Sequence, residues 1–305
     1  MSGLIRLPAL IGTHPLGALA SFGLLRLVES WDREAKLGFV MEDDWIATLR
    51  TETHSTLEEL IFRLVEWLES EHLDRLLDWA VDVRVPPDEY REILTRMIDK
   101  NQRGIVDFVS AIAADGAVDG QKGHIKPSLF YMASGQQSFL GGAREIVAAA
   151  RLAGRATFEE ALAGPWTYRT RLHSLGWDPG TERLYALRGR APTSEKPACI
   201  AGAVLLALWA LPLFPAMSAG GRLQTIGFSR IDKEWLFSWP VFSRPIDLAE
   251  LTSIVQTGDW LSEDERSLRP GIEAVYHSRR AEFGQGYAVF RPVQATSWRS
   301  QNVSW

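Results

Sequence analysis

The longest apolar stretch of the chain extends from Ala198 to Ala216 and contains no charged residue. Spanning a bilayer requires about 20 apolar residues in an unbroken helix, and Pro212 and Pro215 interrupt this stretch. The part before Pro212 makes a helix of about 21 Å, which is shorter than the ~30 Å hydrocarbon core of a bilayer. The pattern therefore predicts a buried helix over residues 198–211, around which the rest of the chain packs, and no membrane span.

Apolar residues at helical spacing predict more helices in the N-terminal third. Residues 16–27 form a mostly buried one, and three amphipathic helices follow at residues 57–68, 73–80 and 86–97. Ser55-Thr56-Leu57-Glu58 predicts a capping box at the start of the first of these. We call residues 57–97 the acidic helical block, and it is the region expected to contact other proteins.

Short runs of β-branched and aromatic residues predict strands between these helices. In the first half they are Leu4–Leu10, a hairpin over Lys36–Arg50, Arg103–Ile112 and Pro127–Ala133. The first hairpin turns at three adjacent carboxylates, Glu42-Asp43-Asp44. These could bind a cation, but a solvated turn is the favoured interpretation.

Two helices are predicted between residues 134 and 164. The first begins at Ser134-Gly135-Gln136-Gln137 and continues to Ala150. The second begins at a capping box, Thr157-Phe158-Glu159-Glu160, and ends at Gly164.

The C-terminal third predicts a hairpin over Arg222–Phe228 and Trp235–Val241, a helix over Ile246–Val255 and a capping box at residues 262–265. Residues 271–293 predict a longer hairpin that turns at Gly284-Gln285-Gly286. The period of two places Arg279 and Arg280 on opposite faces. The whole pattern is typical of an α+β protein, with mixed helices and short antiparallel sheets around the buried helix and a C-terminal β-hairpin.

Composition adds limits to this picture. The 305 residues are 46% apolar, which is enough for a large core. We divide the chain into an N-terminal α+β region, residues 1–115, and a C-terminal α+β region, residues 116–305. Cys199 is the only cysteine, so no internal disulfide can form and a cytoplasmic location is expected. The apolar start of the chain is interrupted by Pro8 and Pro15, so we do not expect it to be a signal peptide.

The net charge of −5 is unevenly distributed. Counting Lys and Arg against Asp and Glu gives −8 for residues 1–100, +3 for residues 101–200 and 0 for residues 201–305. The basic footprint of a protein that binds nucleic acid with its whole surface is therefore excluded. A local basic strip in the second or last third remains possible.

Side chains in the middle of the chain are candidates for such a strip. Lys122 and Lys126 lie in a glycine-rich loop, and near the start of the next helix, whose free N–H groups could bind a phosphate, lie Gln136, Gln137 and Arg144. The alternatives are a solvated loop and a helix start capped by Ser134 with nothing bound.

The segment from Gly164 to Gly189 alternates Trp and Tyr with Arg. Aromatic rings stack on bases and guanidinium groups bind phosphates, so this alternation is typical of a nucleic-acid surface. We assign such contacts to Arg169 and Arg171. For Trp177, Asp178 and Arg183 we favour a structural cluster.

The C-terminal hairpin offers a second set of candidates, because a two-stranded ribbon can enter a groove of DNA. Its candidate residues are Arg279, Arg280, Gln285 and Arg291. If the hairpin faces DNA, we expect Arg279, Arg280 and the turn at residues 284–286 to be exposed and to lie on one surface with Lys122, Lys126 or Arg169. The alternative is an edge ribbon packed on its own domain.

Four segments, in this order, resemble small subunits encoded with subtype I-G (formerly I-U) CRISPR-Cas systems. They are LPALIGTHPLGALASFGLLRLV, SGQQSFL, GPWTYRTRLHSLGWDPGTERLYAL and GAVLLALWALPLFP, and the resemblance extends from Leu4 to about Val241. Those subunits are considered divergent counterparts of the large subunit of Cascade, a crRNA-guided effector complex. Where the family pattern leads us to expect an arginine before Trp-Asp-Pro, this chain has Gly176, so no phosphate-binding role is transferred to that position.

The resemblance implies a non-catalytic subunit that needs no cofactor or metal. Its expected partners are the other Cascade subunits and the crRNA, the target double-stranded DNA and a separate helicase-nuclease. The large subunit typically recognises the short motif that flanks the target, the PAM, and recruits the helicase-nuclease. Base pairing by the guide then reads the rest of the target, a division of labour known from other effectors.

Two alternatives stay open. One is a purely protein-bridging subunit, in which case we expect the acidic helical block to expose apolar surface. The other is a nuclease-like enzyme that uses His277, Arg279 and Glu282. Against the enzyme, the six histidines show no ligand spacing, and neither a P-loop nor a Gly-x-Ser-x-Gly motif occurs.

Overall fold

The computed structural model describes residues 3–133, 138–181, 197–231, 233–257, 271–283 and 287–296. Within these ranges the chain has the predicted α+β class, with helices and short antiparallel sheets. The N-terminal part begins with strand β1, Gly3–Ile11, helix α1, Pro15–Glu29, and strands β2, Lys36–Met41, and β3, Trp45–Thr51. These three strands form an antiparallel sheet in the order β1-β3-β2, and β2 and β3 are the predicted hairpin.

The acidic helical block contains helices α2, Leu57–Glu69, α3, Glu71–Leu77, and α4, Pro87–Asp99. The predicted capping box at α2 is present but lies one residue later than expected. Thr56 is the N-cap residue and accepts the Glu59 N–H at 3.2 Å. Ser55 instead donates its N–H to the Glu59 carboxylate at 2.7 Å, because that side chain reaches back past the cap.

Residues 103–112 form helix α5, Arg103–Ile112, so the predicted strand is wrong. Ile105, Phe108, Val109 and Ile112 are buried, and their spacing of three and four residues lines one face of a helix. The β-branched content suggested a strand, but tertiary packing of this face overrides that preference. The strand begins afterwards, with β4, Ala113–Val118, which pairs with β5, Ile125–Pro127.

The predicted strand over residues 127–133 is also wrong beyond Pro127. Ser128–Tyr131 form a hydrogen-bonded turn instead, in which Tyr131 N–H donates to the Ser128 carbonyl at 2.9 Å. Helix α6, Phe139–Ala153, follows, and Ser138 caps it by accepting the Gly141 N–H at 3.0 Å. Ser134, the cap expected from the sequence, lies outside the described residues.

Helix α7, Arg155–Phe158, continues into a π-helical turn, Glu159–Ala163, which ends at Gly164 as predicted. The predicted capping box is wrong, because Thr157 lies inside this helix. Its hydroxyl donates to the Ala150 carbonyl at 3.0 Å. The third predicted capping box, at residues 262–265, lies outside the described residues.

The apolar stretch forms helix α8, Ala201–Ala210, and all ten of its residues are buried, as predicted. It packs closely on α1, where a Cβ added at Gly23 would lie 1.8 Å from the Leu206 carbonyl oxygen. Any larger side chain at position 23 would force the two helices apart. No helix in the described ranges is long and apolar enough to cross a membrane.

The C-terminal part holds the hairpin that was predicted. Its strands are β6, Ala216–Ala219, β7, Arg222–Thr225, β8, Phe228–Ile231, β9, Glu234–Phe242, β10, Ile272–Phe283, β11, Tyr287–Phe290, and β12, Gln294–Thr296. Strands β11-β10-β9-β8 are adjacent in this order, and β12 also pairs with β10. Helix α9, Leu248–Thr257, follows β9.

The predicted strand over residues 222–228 is divided in two. Its first half, β7, pairs with β6, and β8 begins at Phe228 and pairs with β9. Gly227 between them has a φ of +82°, a conformation that interrupts a strand and favours glycine.

The hydrophobic core is continuous from the N-terminal sheet through α1 and α8 to the C-terminal sheet. Phe130, Phe214, Phe237 and Phe290 form its aromatic centre. The predicted boundary between residues 115 and 116 falls inside β4. The surfaces considered below are therefore attached to one shared core.

Candidate nucleic-acid interface

The start of α6, where the sequence predicts a phosphate site, is occupied by a carboxylate of the protein itself. Asp82 Oδ1 accepts the Phe139 N–H at 3.0 Å, and Asp82 Oδ2 accepts the Tyr131 hydroxyl at 2.6 Å. Burial and this carboxylate raise the pKa of Tyr131, so the hydroxyl remains a donor. A negative group is favoured at a helix N-terminus, and Asp82 takes the position that a phosphate would take. Gln136 and Gln137 lie outside the described residues.

Arg144 connects α6 to the end of α3. Its Nη2 donates to the carbonyls of Leu77 at 3.1 Å and Ala80 at 2.5 Å, and its Nε lies 3.1 Å from Asp78 Oδ1. These partners are the exposed carbonyls and the carboxylate at a helix C-terminus, where cations are favoured. The guanidinium group that we expected on a phosphate or base edge is thus held by groups of the protein itself.

Arg171 lines a cavity of about 390 Å³ beside the start of α6, together with Met132, Ser138, Gly142 and His173. Arg169, two residues earlier, is also exposed, and its Nε donates to Thr167 Oγ1 at 3.0 Å. Thr170 between them pairs with Cys199 in an isolated antiparallel bridge. The two arginines are therefore exposed on a segment that is anchored next to α8.

The structural interpretation of Trp177 and Asp178 is confirmed. Trp177 is fully buried and its indole N–H donates to the Phe130 carbonyl at 3.0 Å. Asp178, also fully buried, accepts the Gly180 N–H at 2.7 Å. Arg183, the third member of the predicted cluster, lies outside the described residues.

The structure explains why position 176 is a glycine and not the arginine that the family pattern suggested. Its φ is +84°, and a Cβ at this position would lie 2.6 Å from the Ala288 carbonyl oxygen and 2.7 Å from Met132 Cβ. An arginine side chain cannot be placed there without moving β11. Gly176 also accepts the Phe290 N–H at 2.9 Å, and Met132 accepts the Ala288 N–H at 3.1 Å, so the C-terminal hairpin borders the cavity of Arg171.

The two adjacent arginines of β10 have opposite environments. Arg280 lies on the core face, where its side chain is 8% exposed. Its Nε donates to the Leu129 carbonyl at 2.9 Å and its Nη2 to the Tyr131 carbonyl at 3.2 Å. Burial lowers the pKa of Arg280. The expectation that both arginines are exposed is therefore wrong for Arg280, because the strand alternation turns its side chain toward residues 129–131.

Arg279 and Arg291 lie directly opposite each other on neighbouring strands, and we call them the arginine pair. The Arg291 N–H donates to the Arg279 carbonyl at 2.9 Å, and opposite residues of an antiparallel ladder share a face. Arg279 is 46% exposed and its Nε lies 2.8 Å from Glu234 Oε2. The two arginines thus share one face of the hairpin, at the end of its ladder away from the predicted tip at residues 284–286. Gln285 is in that tip, outside the described residues.

Lys122 and Lys126 lie on the hairpin of β4 and β5, and both are exposed. The turn is closed by Asp119, whose Oδ1 accepts the N–H groups of Gln121 and Lys122, each at 2.9 Å. These hydrogen bonds lower the pKa of Asp119. The predicted loop is therefore a short ordered hairpin that presents two lysines to solvent.

The residues of the enzyme alternative do not converge. His277 is 6% exposed and its Nδ1 lies 2.7 Å from Ser238 Oγ. Arg279 pairs with Glu234, whereas Glu282 pairs with Arg280 on the other face of the strand. Within the described ranges, no group of three or more His, Cys, Asp and Glu side chains could hold a metal ion. Burial raises the pKa of Cys199 to about 12, so its thiol is not a nucleophile near neutral pH.

Sequence reasoning missed a cleft of about 660 Å³ between β1, the start of α1 and the turn after Trp177. His14 lies in its wall, with Nε2 3.4 Å from Asp178 Oδ1 and Nδ1 accepting the Gly17 N–H at 3.3 Å. Both ring nitrogens are therefore engaged, and His14 serves as a helix cap rather than as a free base. The signal in the sequence was Thr-His-Pro before α1, since Pro15 at the first helical position marks the residue before it as the cap.

Comparison of the chain with models of known protein families finds no match, and no curated protein matches it. The function must therefore be argued from the residues and their geometry.

Proposed function

We propose that this chain is a non-catalytic subunit of a crRNA-guided type I effector complex of the Cascade kind. In that complex it would contribute to recognition of target double-stranded DNA and its PAM, and to recruitment of the helicase-nuclease. The resemblance of four segments to subtype I-G subunits supports the type of complex. The cytoplasmic location is part of this proposal.

The arginine pair is the observation that carries the DNA-facing role. Arg279 and Arg291 lie opposite each other on two hydrogen-bonded strands, at the end of the β10–β11 ladder away from the turn. Two-stranded ribbons can lie in a groove of DNA, and paired guanidinium groups are suited to phosphates and to guanine edges. Arg169 and Arg171 are further exposed basic side chains, on the segment anchored next to α8.

The test of this function is binding of the target duplex by the reconstituted guide complex, with and without this chain, at two salt concentrations. Counterion release makes affinity fall with salt more steeply when more phosphates are contacted. We expect that omitting the chain lowers affinity and makes the salt dependence shallower. Unchanged affinity and unchanged salt dependence would remove the DNA-facing role.

The protein-bridging alternative has an observation of its own. In the acidic helical block, Phe62 is 63% exposed and Val81 is 85% exposed. Contiguous apolar patches on a charged surface are typical of protein contacts, and these two side chains are the apolar surface that the block offers for one. If DNA binding does not depend on the chain, a subunit that joins other proteins through this block becomes the favoured function.

A further inference from the structure

Two short hairpins lie side by side on the protein, and we call them the paired hairpins. One consists of β4 and β5, and the other consists of β6 and β7, with its turn at Gly220-Gly221. Their bases are joined where the Leu129 N–H donates to Thr225 Oγ1 at 3.0 Å. Farther out they touch again, since a Cβ added at Gly116 would lie 2.8 Å from Ser218 Oγ. The two hairpins therefore project in the same direction, and their turns lie at the same end.

The turns of both hairpins are open to solvent. Each contains two glycines at which an added Cβ would meet no atom within 4 Å, and these are Gly120, Gly123, Gly220 and Gly221. The last two have φ values of +57° and +71°, which is the conformation of a tight two-residue hairpin turn. A turn without side chains lets the main chain approach a ligand closely.

The exposed charged groups at this end of the paired hairpins are mainly basic. Lys122 and Lys126 lie on the first hairpin, Arg222 directly follows the turn of the second, and all three are exposed. The carboxylate nearest to them is Asp119, whose Oδ1 accepts two main-chain N–H groups of the first turn. Three cations thus stand against one carboxylate that is already hydrogen-bonded.

These three cations differ from other exposed basic groups of the protein. Arg75, Arg103 and Arg244 are exposed as well, but each forms an ion pair with a carboxylate. Lys122, Lys126 and Arg222 form none within the described part of the chain. Asp115, the other carboxylate of the paired hairpins, is paired with Arg91 on α4 at 2.7 Å. The positive charge of the paired hairpins is therefore available to an anion from outside the protein.

We propose that the paired hairpins bind the phosphodiester backbone of a nucleic-acid strand, with Lys122, Lys126 and Arg222 on its phosphates. The backbone presents a row of negative charges, and two adjacent turns can contact such a row at two places. Gln121 and Gln224 are exposed on the same hairpins, and their amide groups can donate to phosphate oxygens. This contact is additional to the arginine pair, which lies on other strands. Whether the strand is the guide RNA or the target DNA rests on the proposed function, whereas the contact with phosphates does not.

Photo-crosslinking from the two turns tests this proposal. Cys199 is the only cysteine and is buried, so Gly120→Cys or Ala219→Cys supplies a single accessible thiol for p-azidophenacyl bromide. The matched control carries the same label at Leu152→Cys, where the native side chain is 92% exposed on α6. In the reconstituted complex we expect both turns, and not position 152, to crosslink to the same nucleic-acid strand. Digestion with ribonuclease or deoxyribonuclease then identifies that strand as guide RNA or target DNA.

Removing the charges tests the role of the basic side chains. Lys122→Ala together with Arg222→Ala should lower both crosslinking yields about fivefold, because two phosphate contacts are lost. Arg33→Ala together with Arg50→Ala removes two exposed charges of the N-terminal part and should leave the yields unchanged. Crosslinks to protein alone, or no crosslink in a complex that assembles normally, contradict the proposal. An equal loss of yield in the two double variants also contradicts it.

If the chain does not enter the complex, the proposed function fails, and the isolated chain then tests the paired hairpins. The probes are a thymidine decanucleotide, a uridine decanucleotide and a glutamate decapeptide, each at several salt concentrations. Binding of the nucleotides supports the proposal if Lys122→Ala with Arg222→Ala weakens it and makes the salt slope shallower by about 1 to 2 units. Equal binding of the glutamate peptide, no binding at low salt, or no effect of the double variant overturns it.

Discussion

The arginines near the acidic helical block and those of the C-terminal hairpin have opposite roles. Arg151 donates to the carbonyls of Leu68 and Ser70 at the end of α2 and forms two contacts with Asp74. Arg144 does the same at the end of α3. In contrast, Arg279 is exposed and shares a face of the hairpin with the half-buried Arg291. Helix C-termini attract guanidinium groups into the protein, whereas a sheet has no such net dipole to hold them.

Arg280 shows that this difference depends on the face rather than on the region. It lies in the same strand as Arg279, one residue later, yet it donates to two main-chain carbonyls like the arginines of the helices. Arg280 is therefore held by groups of the protein itself, although it is the neighbour of Arg279 in the sequence.

The largest expected effect is a loss of stability in β10, where the internal Arg280 is compared with the exposed Arg279. Replacing Arg280 with Ala leaves the carbonyls of Leu129 and Tyr131 without this donor, and we expect a loss of about 3 kcal/mol of unfolding free energy. Urea denaturation measures it. Arg279→Ala, at the exposed neighbouring position, should change stability by less than about 0.5 kcal/mol. Equal losses for the two variants would contradict the assignment.

A smaller effect is expected where the helices meet. Arg151→Ala should cost about 1–2 kcal/mol, because it removes hydrogen bonds to two carbonyls and to Asp74 at once. Arg151→Lys should restore less than half of this, since an ammonium group cannot reproduce the fork of the guanidinium. Arg75→Ala is the control, because Arg75 forms only an exposed pair with Glu71 and should cost about 0.5 kcal/mol or less. Full rescue by Lys would show that charge, not geometry, matters.

A smaller loss of stability is expected when the N-cap of α2, in the acidic helical block, is removed. Thr56→Ala should destabilise the protein by about 1 kcal/mol, because Thr56 is the N-cap residue. Ser55→Ala should destabilise the protein by only a few tenths of about 1 kcal/mol. Thermal unfolding of both variants measures the difference, and a reversed order would restore the cap position predicted from the sequence.

Asp32 is a carboxylate that is held by hydrogen bonds within the protein, and its contribution to stability depends on pH. Burial would raise the pKa of Asp32, but hydrogen bonds from Thr53, Glu52 and Glu34 outweigh it and lower this pKa below its usual 3.8. Asp32 therefore contributes stability that is fully present above pH 3.8 and is lost as the pH falls through its folded-state pKa.

We expect the stability difference between the protein and Asp32→Asn to shrink as the pH is lowered from 6 to 3, in urea titrations at each pH. A difference that stays constant over this range would mean that Asp32 titrates as in the unfolded chain.

Much of the fold followed from hydrophobic spacing alone. Four features each follow from a pattern within a single segment of the sequence. They are the burial of α8, the helix α1, the β2–β3 hairpin and the β10–β11 hairpin. Helix α5 was misread because its β-branched residues favour a strand, and only its packing against the core decides for a helix. The turn at residues 128–131 was misread because its apolar residues are buried without belonging to any strand.

The candidate site was less predictable because it depends on distant partners. Nothing near Arg144 in the sequence indicates the carbonyls at the end of α3, and nothing near the start of α6 indicates Asp82. The opposite faces of Arg279 and Arg280 were predictable from the period of two, but which face is buried depends on residues 129–131.

The central claim is that the arginine pair contacts the phosphates of the target. It is tested most directly by target-duplex binding of the guide complex that carries Arg279→Ala and Arg291→Ala, measured from low to physiological salt. The control is Arg244→Ala, an exposed arginine that pairs with Glu250 on another element. We predict that the double variant binds more weakly and that its salt slope is shallower by about 1 to 2 units, while the control matches the unmodified chain. An unchanged affinity and slope for the double variant would contradict the account.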